Sequence, residues 1–227
     1  MEKEMDTAAE VASQVEASLR RARSEAYPYR RWYPQAILPE AAARAVEALP
    51  FEPPAIGDTE GKRETHNSSR RFFDVENRRA SDVCESVAAA FESPQVLDAI
   101  YEVCGVDVSG NYLRIEHCLD TEGFWLAPHT DLGVKKFTML LYLSTDPGYE
   151  SWGTDVYVDA DTHYETAPGT YNSALVFVPA DNTWHGYHLR PLEGVRRSLI
   201  INYVTEEWRN RHELASPDTP VQRRVPA

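Results

Sequence analysis

Three residues have the types and the spacing of a metal-ligand set: His129 and Asp131, one residue apart, and His185 further along the chain. In an extended segment, residues i and i+2 project to the same side, so His129 and Asp131 can reach one ion while Thr130 points away. His185 comes from a different strand, which a rolled antiparallel sheet brings alongside the first. Two imidazoles and one carboxylate bind Fe(II) on one face of an octahedron and leave the other positions open. The set therefore predicts a mononuclear metal centre.

A histidine two residues before an acid is a common pattern in a chain with 7 histidines and 36 acidic residues, so a surface ion network is the alternative interpretation. The triplet 163–165 shows the same spacing, but it lies in a polar stretch. The triplet 129–131 is followed by the apolar residues 137–143, which are typical of a buried strand. His188, three residues after His185, is an alternative third ligand.

A second feature is the arginine pair that opens a predicted strand. The strand places Arg196, Ser198, Ile200 and Asn202 on one face. If this face is buried, the Arg196 guanidinium needs a partner, because an unpaired buried charge is costly. A carboxylate suits the fork-shaped donor. The sequence thus predicts a carboxylate-binding position at Arg196, with the adjacent Arg197 as the alternative.

The order and intervals of these motifs resemble those of the Fe(II)/2-oxoglutarate-dependent oxygenase superfamily, and within it the prolyl-4-hydroxylase-like branch. The resemblance covers roughly residues 110–205. It is carried by His129-x-Asp131, Trp152-Gly153-Thr154-Asp155-Val156-Tyr157, His185-Gly186 and Gly194-Val195-Arg196-Arg197-Ser198-Leu199.

The resemblance implies a role for each of these positions. His129, Asp131 and His185 would hold Fe(II). Arg196, assisted by Ser198, would pair with the distal carboxylate of the cosubstrate 2-oxoglutarate. The hydroxyl of Tyr142 would contact that same carboxylate.

The resemblance also implies the reaction. O2 and 2-oxoglutarate would be consumed, with oxidative decarboxylation to succinate and CO2 coupled to hydroxylation of a substrate. Family halogenases replace the carboxylate ligand by a small residue, so Asp131 favours hydroxylation. We expect a small-molecule substrate, a free amino acid or a biosynthetic intermediate, because the chain has no obvious partner module; a peptidyl hydroxylase stays open. The candidate substrate contacts are Arg70, Arg71, Arg114, Trp125 and Trp152.

The elements that must position these residues change character along the chain. Apolar residues at helical spacing predict helices up to residue 105, among them 40–49, one capped by Ser81 and one opened by Ser93-Pro94. Short β-branched and aromatic runs follow, with no helices between them. The fold class is therefore mainly β (α+β), a double-stranded β-helix or jelly roll with N-terminal supporting helices.

A single domain is expected for the 227 residues. Residues 1–105 supply helical support and substrate loops, 106–206 form the oxygenase core, and 207–227 are a charged, partly disordered tail.

The net charge of −13 disfavours nucleic acid as a partner. The three cysteines show no CxxC spacing, and no apolar stretch is long enough for a membrane span, so we expect a cytoplasmic protein with no membrane partner. Two other interpretations remain open. A cupin-like enzyme with another metal would normally show an HxH pair, which is absent here. A non-catalytic jelly-roll binding domain would need no metal.

Overall fold

The protein is described here by a computed structural model that covers residues 7–55, 59–62, 70–131 and 133–224. Helices dominate the first half of the described chain and antiparallel strands the second, as expected from the sequence. No helix in the described ranges combines the length and the apolar character needed to cross a bilayer.

Five α-helices form in the described part of the chain, and their bounds are α1 Ala8–Arg20, α2 Glu40–Glu47, α3 Val75–Ala80, α4 Asp82–Glu92 and α5 Pro94–Cys104. The predicted caps are confirmed, because the Ser81 and Ser93 side chains accept from the backbone N–H groups of α4 and α5. Helix α3 was not predicted. None of its residues is buried, so it carries no apolar stripe that could reveal it.

The strands form two antiparallel sheets. Their bounds are β1 Arg23–Glu25, β2 Arg31–Tyr33, β3 Arg71–Phe72, β4 Tyr112–Asp120, β5 Leu126–His129, β6 Lys135–Tyr142, β7 Asp155–Tyr157, β8 His163–Thr166, β9 Ser173–Phe177, β10 His185–Tyr187 and β11 Arg196–Val204. The larger sheet has the order β1-β2-β9-β6-β11-β4-β3, and the smaller one has the order β5-β10-β7-β8. The β-branched and aromatic runs expected to be strands correspond to β4, β6, β7, β9 and β11.

The larger sheet separates the main core from the interior between the sheets. On β6, Phe137, Met139 and Leu141 pack with the helices, with α1 against α4 and α5. The alternate residues Thr138 and Leu140 point to the other side and line a cavity. Strand alternation thus assigns one face to the hydrophobic core and one face to the site.

The described part of the C-terminal tail packs against the large sheet, which corrects the expectation of a partly disordered, solvated segment. Leu214 forms an isolated β-bridge with Arg114 and is buried, as is Val221. Glu213, in the same tail, is only 4% exposed. Its carboxylate pairs with the buried Arg114 guanidinium, and this contact holds the tail against β4.

Candidate metal centre and cosubstrate site

A cavity of about 590 Å³ lies between the two sheets. Its lining includes His129, Asp131 and His185, together with Arg196 and Ser198. The predicted metal ligands and the predicted carboxylate anchor therefore face the same space. Its volume falls within the range of roughly 300–1,000 Å³ typical of small-molecule pockets.

His129 and His185 are direct partners across the antiparallel β5 and β10 pair. Their ring centroids are 4.4 Å apart. Each Nδ1 lies 2.9 Å from a backbone carbonyl, that of Ala127 for His129 and that of Thr183 for His185. Since a carbonyl oxygen only accepts, each Nδ1 carries the proton, and each Nε2 keeps its lone pair for a ligand or a metal.

Asp131 completes the set, because its carboxylate and the two imidazoles offer ligand atoms that lie within 4.8 Å of one another. The Thr138 hydroxyl donates to Asp131 Oδ2 at 2.8 Å, and the Lys135 ammonium contacts Oδ1. Burial would raise the pKa of Asp131, but the charge of Lys135 and the two hydrogen bonds outweigh burial and hold this pKa well below its usual range.

The protonation states suit a divalent transition metal. Burial lowers the pKa of His185 to about 4, so this imidazole is neutral at pH 7. Asp131 is ionised at the same pH. Metal ligands must be deprotonated to bind, so a metal would displace few protons here. Two imidazoles and one carboxylate, opening into a cavity, can hold an ion and leave positions for other ligands.

A second group, Asp155, His163 and His188, also offers ligand atoms within 4.8 Å of one another. It lies at the surface, since both histidines are exposed. The Asp155 carboxylate already accepts from Arg190, from the backbone N–H of His188 at 2.7 Å and from the Nδ1 of the His188 ring at 2.6 Å. His188 thus uses the nitrogen nearest the carboxylate for a hydrogen bond, and Arg190 neutralises the charge that would attract a cation. The geometry favours His185 over His188 as a partner of His129.

Arg196 is buried, and Ser198 and Ile200, which alternation places on the same face of β11, line the cavity beside it. Its Nη1 pairs with Asp120 Oδ2 at 2.6 Å, and its Nε donates to the Trp152 carbonyl at 2.7 Å. The sequence predicted a carboxylate partner but missed Asp120, which lies opposite Arg196 across β4 and β11. Arg197 pairs instead with Asp146, away from the cavity lining.

Two tyrosines lie near Arg196. Tyr142 is buried, and its hydroxyl accepts the Thr154 N–H at 3.2 Å; among the described residues, Thr154 lines the cavity and Tyr142 does not. Tyr187, which was not singled out from the sequence, does line the cavity. Burial raises the pKa of Tyr187 to about 12, so its hydroxyl is a neutral donor at pH 7.

A buried ionic network forms the end of the cavity remote from Arg196. The two Glu116 carboxylate oxygens each accept a hydrogen bond from Arg70 at 2.8 Å. One of them, Oε2, also accepts from Arg114 at 2.8 Å. Arg114 also donates to Glu213 Oε2 at 2.6 Å. Trp208 lines the same end, with its ring centroid 5.0 Å from the Arg114 guanidinium carbon. Two predicted substrate contacts, Arg70 and Arg114, therefore reach the cavity.

Three other predicted substrate contacts, Arg71, Trp125 and Trp152, lie outside the lining formed by the described residues. Trp152 packs behind Tyr187 in an apolar cluster. The Trp125 ring packs against Gly61, which lines the cavity. A Cβ atom at Gly61 would lie only 2.7 Å from this ring. Residues 66–69, which precede the candidate contacts Arg70 and Arg71, fall outside the described part of the chain.

Known proteins resemble this chain in their three-dimensional structures but not detectably in their sequences. No protein-family model and no curated protein matches the sequence. A prolyl 4-hydroxylase from Pseudomonas putida matches with a TM-score of 0.53 and 17% identity, over 90% of this chain and 99% of the other. A prolyl 4-hydroxylase from Phytophthora capsici matches with a TM-score of 0.57 and 14% identity, over 90% and 67%.

A third solved structure is a prolyl hydroxylase in complex with a hypoxia inducible factor peptide fragment, from Trichoplax adhaerens. It matches with a TM-score of 0.52 and 14% identity, over 88% of this chain and 91% of the other. At these identities the similarity concerns the fold. The chain has the fold of the prolyl hydroxylases.

Proposed function

We propose that this protein is an Fe(II)- and 2-oxoglutarate-dependent dioxygenase that hydroxylates a small molecule, and that its two sheets are the halves of a double-stranded β-helix. The observation that carries the proposal is the convergence of His129, Asp131 and His185 in one cavity, with both Nδ1 atoms committed to backbone carbonyls. The prolyl hydroxylase fold supports the same class of enzyme.

The donor set fits Fe(II). Imidazole and carboxylate are suitable ligands for this ion, and a set of three on one face is the arrangement that non-haem Fe(II) oxygenases use. Iron, when bound, supplies the one-electron and O2 chemistry that protein side chains lack. The protein contributes the orientation of its ligands, through the Ala127 and Thr183 carbonyls and the Thr138 hydroxyl.

Arg196 and Ser198 would hold the distal carboxylate of 2-oxoglutarate. Both line the cavity on β11, and the Asp120 and Trp152 contacts fix the guanidinium in place. The overall reaction consumes 2-oxoglutarate, O2 and a substrate C–H bond. It yields succinate, CO2 and the corresponding alcohol, with one oxygen atom of O2 in each of succinate and the alcohol.

The substrate would bind at the end formed by Arg114, Glu116 and Trp208. This end is polar and lies between the sheets, and the cavity volume of about 590 Å³ suits a small molecule such as a free amino acid or a biosynthetic intermediate. The fold similarity to prolyl hydroxylases favours a second candidate, a peptidyl hydroxylase. Succinate release measured with free amino acids and with prolyl peptides distinguishes the two.

The central test is an anaerobic titration of the apo-protein with Fe(II) and 2-oxoglutarate, observing the visible metal-to-ligand charge-transfer band. The wild-type protein and His188→Ala should form the band, whereas Asp131→Ala and His185→Ala should not. His188→Ala is the matched control, because it removes the neighbouring exposed histidine. If folded wild-type protein forms no band, the proposal is wrong, and a cupin with another metal or a non-catalytic binding domain takes its place.

A further inference from the structure

Tyr187 is a buried donor that has no partner in the described part of the chain. Its side chain is 2% exposed, and its hydroxyl makes no hydrogen bond to any described residue. A buried tyrosine hydroxyl normally finds a partner, because leaving it unsatisfied costs free energy. Tyr187 also lines the cavity, so a bound molecule can supply the missing acceptor.

The position of Tyr187 points to one particular bound group. It follows His185 by two residues on β10, and both residues line the cavity. The Arg196 guanidinium carbon lies 4.6 Å from its ring centroid. Whatever acceptor Arg196 binds in the cavity is therefore close to the Tyr187 side chain.

Arg196 alone leaves a carboxylate short of donors. Its Nε and Nη1 already donate to Trp152 and Asp120, and Nη2 has no acceptor among the described residues. A carboxylate offers about four lone-pair positions. Arg196 keeps two N–H groups on Nη2 and one on Nη1 for them, and the hydroxyls of Ser198 and Tyr187 are neighbouring donors on the cavity lining. Of the two hydroxyls, that of Tyr187 is buried and has no partner among the described residues.

Tyr142, the tyrosine predicted for this role, is less well placed. Its hydroxyl accepts the Thr154 N–H, and Thr154 rather than Tyr142 forms the cavity surface. We infer that Tyr187, and not Tyr142, donates the hydrogen bond that completes the binding site for the distal carboxylate of 2-oxoglutarate beside Arg196. This inference rests on the proposed function and adds a binding residue to it.

The alternative role for Tyr187 is structural. Its ring is in contact with two guanidinium groups, with the Arg190 carbon at 4.2 Å and the Arg196 carbon at 4.6 Å from its centroid. Such contacts hold a side chain in place through the ring and not through the hydroxyl. Phenylalanine keeps the ring and removes only the donor, so Tyr187→Phe separates the two roles.

The experiment is an equilibrium titration of the anaerobic Fe(II)-protein with 2-oxoglutarate, followed by the charge-transfer band. Tyr187→Phe should raise the Kd for 2-oxoglutarate roughly 10- to 100-fold, as expected for losing a hydrogen bond to a charged group. The matched control, Tyr142→Phe, should stay within about threefold of the wild type. The same titration with 2-oxobutyrate, a 2-oxo acid without the distal carboxylate, should give the same Kd for Tyr187→Phe and the wild type.

Three outcomes would overturn the inference. The first is that Tyr187→Phe binds 2-oxoglutarate as the wild type does, and the second is that Tyr142→Phe shows the loss instead. The third is that Tyr187→Phe binds 2-oxoglutarate and 2-oxobutyrate more weakly by the same factor. Comparing the Kd values of Tyr187→Phe for 2-oxoglutarate and 2-oxobutyrate remains decisive even if the substitution disturbs packing. Absence of the band from the wild type would instead overturn the proposed function.

Discussion

Asn202 of β11 lies directly opposite Thr138 of β6, and its Nδ2 donates to the Thr138 hydroxyl at 2.9 Å. The hydroxyl has a single proton, which it donates to Asp131 Oδ2 at 2.8 Å. Arg114 of β4 faces Asn202 on the other side and approaches its Oδ1 at 3.4 Å. One row of residues across three strands thus connects the ionic end of the cavity to a predicted metal ligand.

The first prediction concerns Thr138. Thr138→Val should weaken Fe(II) binding about 10- to 100-fold, because Asp131 loses the hydrogen bond that orients its carboxylate. Anaerobic Fe(II) titration measures the Kd directly. Thr138→Ser keeps the hydroxyl and should bind Fe(II) as the wild type does. Equal affinity in Thr138→Val would show that this hydrogen bond does not tune the site.

Alternation along single strands predicted which residues share a face on β11 and in the 129–131 segment, and the structure shows that these faces meet the cavity. It could not predict the row formed by Thr138, Asn202 and Arg114, because cross-strand register depends on how distant segments pair. The same limit explains why Asp120 was missed as the partner of Arg196. Both residues are ordinary in their own segments, and only the β4 and β11 pairing places them side by side.

Glu116 is predicted to stabilise the fold through its position between two arginines. Glu116→Gln leaves Arg70 and Arg114 with one fewer buried countercharge and should lower the free energy of unfolding by about 3–5 kcal/mol. Urea denaturation of the apo-protein measures this change. Glu40→Gln breaks an exposed pair with Arg44 and should cost less than about 1 kcal/mol. Similar losses for both variants would contradict the prediction.

His117 gives a prediction about pH. It is buried on β4, and neither ring nitrogen has a hydrogen-bond partner among the described residues. Burial, with a smaller contribution from Arg197, lowers its pKa from the ordinary 6.5 to about 4. Between these values the unfolded chain binds the proton more readily, so stability from this residue is complete above pH 6.5 and is lost as the pH falls towards 4.

A pKa difference of this size corresponds to roughly 3 kcal/mol. His117→Phe, which suits the neighbouring Phe51 and Phe73 rings, should remove this part of the acid sensitivity. Urea unfolding of both proteins at pH 8 and pH 5 tests this. Between these two pH values, the free energy of unfolding should fall more for the wild type than for the variant. Parallel losses in the two proteins would show that His117 does not titrate on unfolding.

Local signals predicted the helices well where a side chain caps the first turn, as Ser81 and Ser93 do. They failed for the tail, because charge and proline content near Glu213 suggested solvation. The Arg114 guanidinium, which lies far away in sequence, needs a second carboxylate, and Glu213 supplies it. A buried charge can therefore order a segment whose composition indicates disorder.

The last prediction separates Arg196 from Arg197 as the anchor for 2-oxoglutarate. Truncating Arg196 would leave Asp120 buried without a countercharge, so lysine is the sharper substitution. Arg196→Lys keeps a positive charge for Asp120 but loses the planar fork and the Nε donor. The Kd for 2-oxoglutarate, from the charge-transfer titration, should rise at least about tenfold. Fe(II) affinity should not change, since neither arginine contacts the metal ligands.

Arg197→Lys is the matched control, because Arg197 lies outside the cavity lining and pairs with the partly exposed Asp146. This variant should bind 2-oxoglutarate as the wild type does. If Arg197→Lys weakens binding and Arg196→Lys does not, the anchor is Arg197 and the inward face of β11 has another use. Loss of 2-oxoglutarate affinity in Arg196→Lys alone would connect the Asp120-anchored guanidinium to the cosubstrate, because the two variants differ only in which face of the strand is changed.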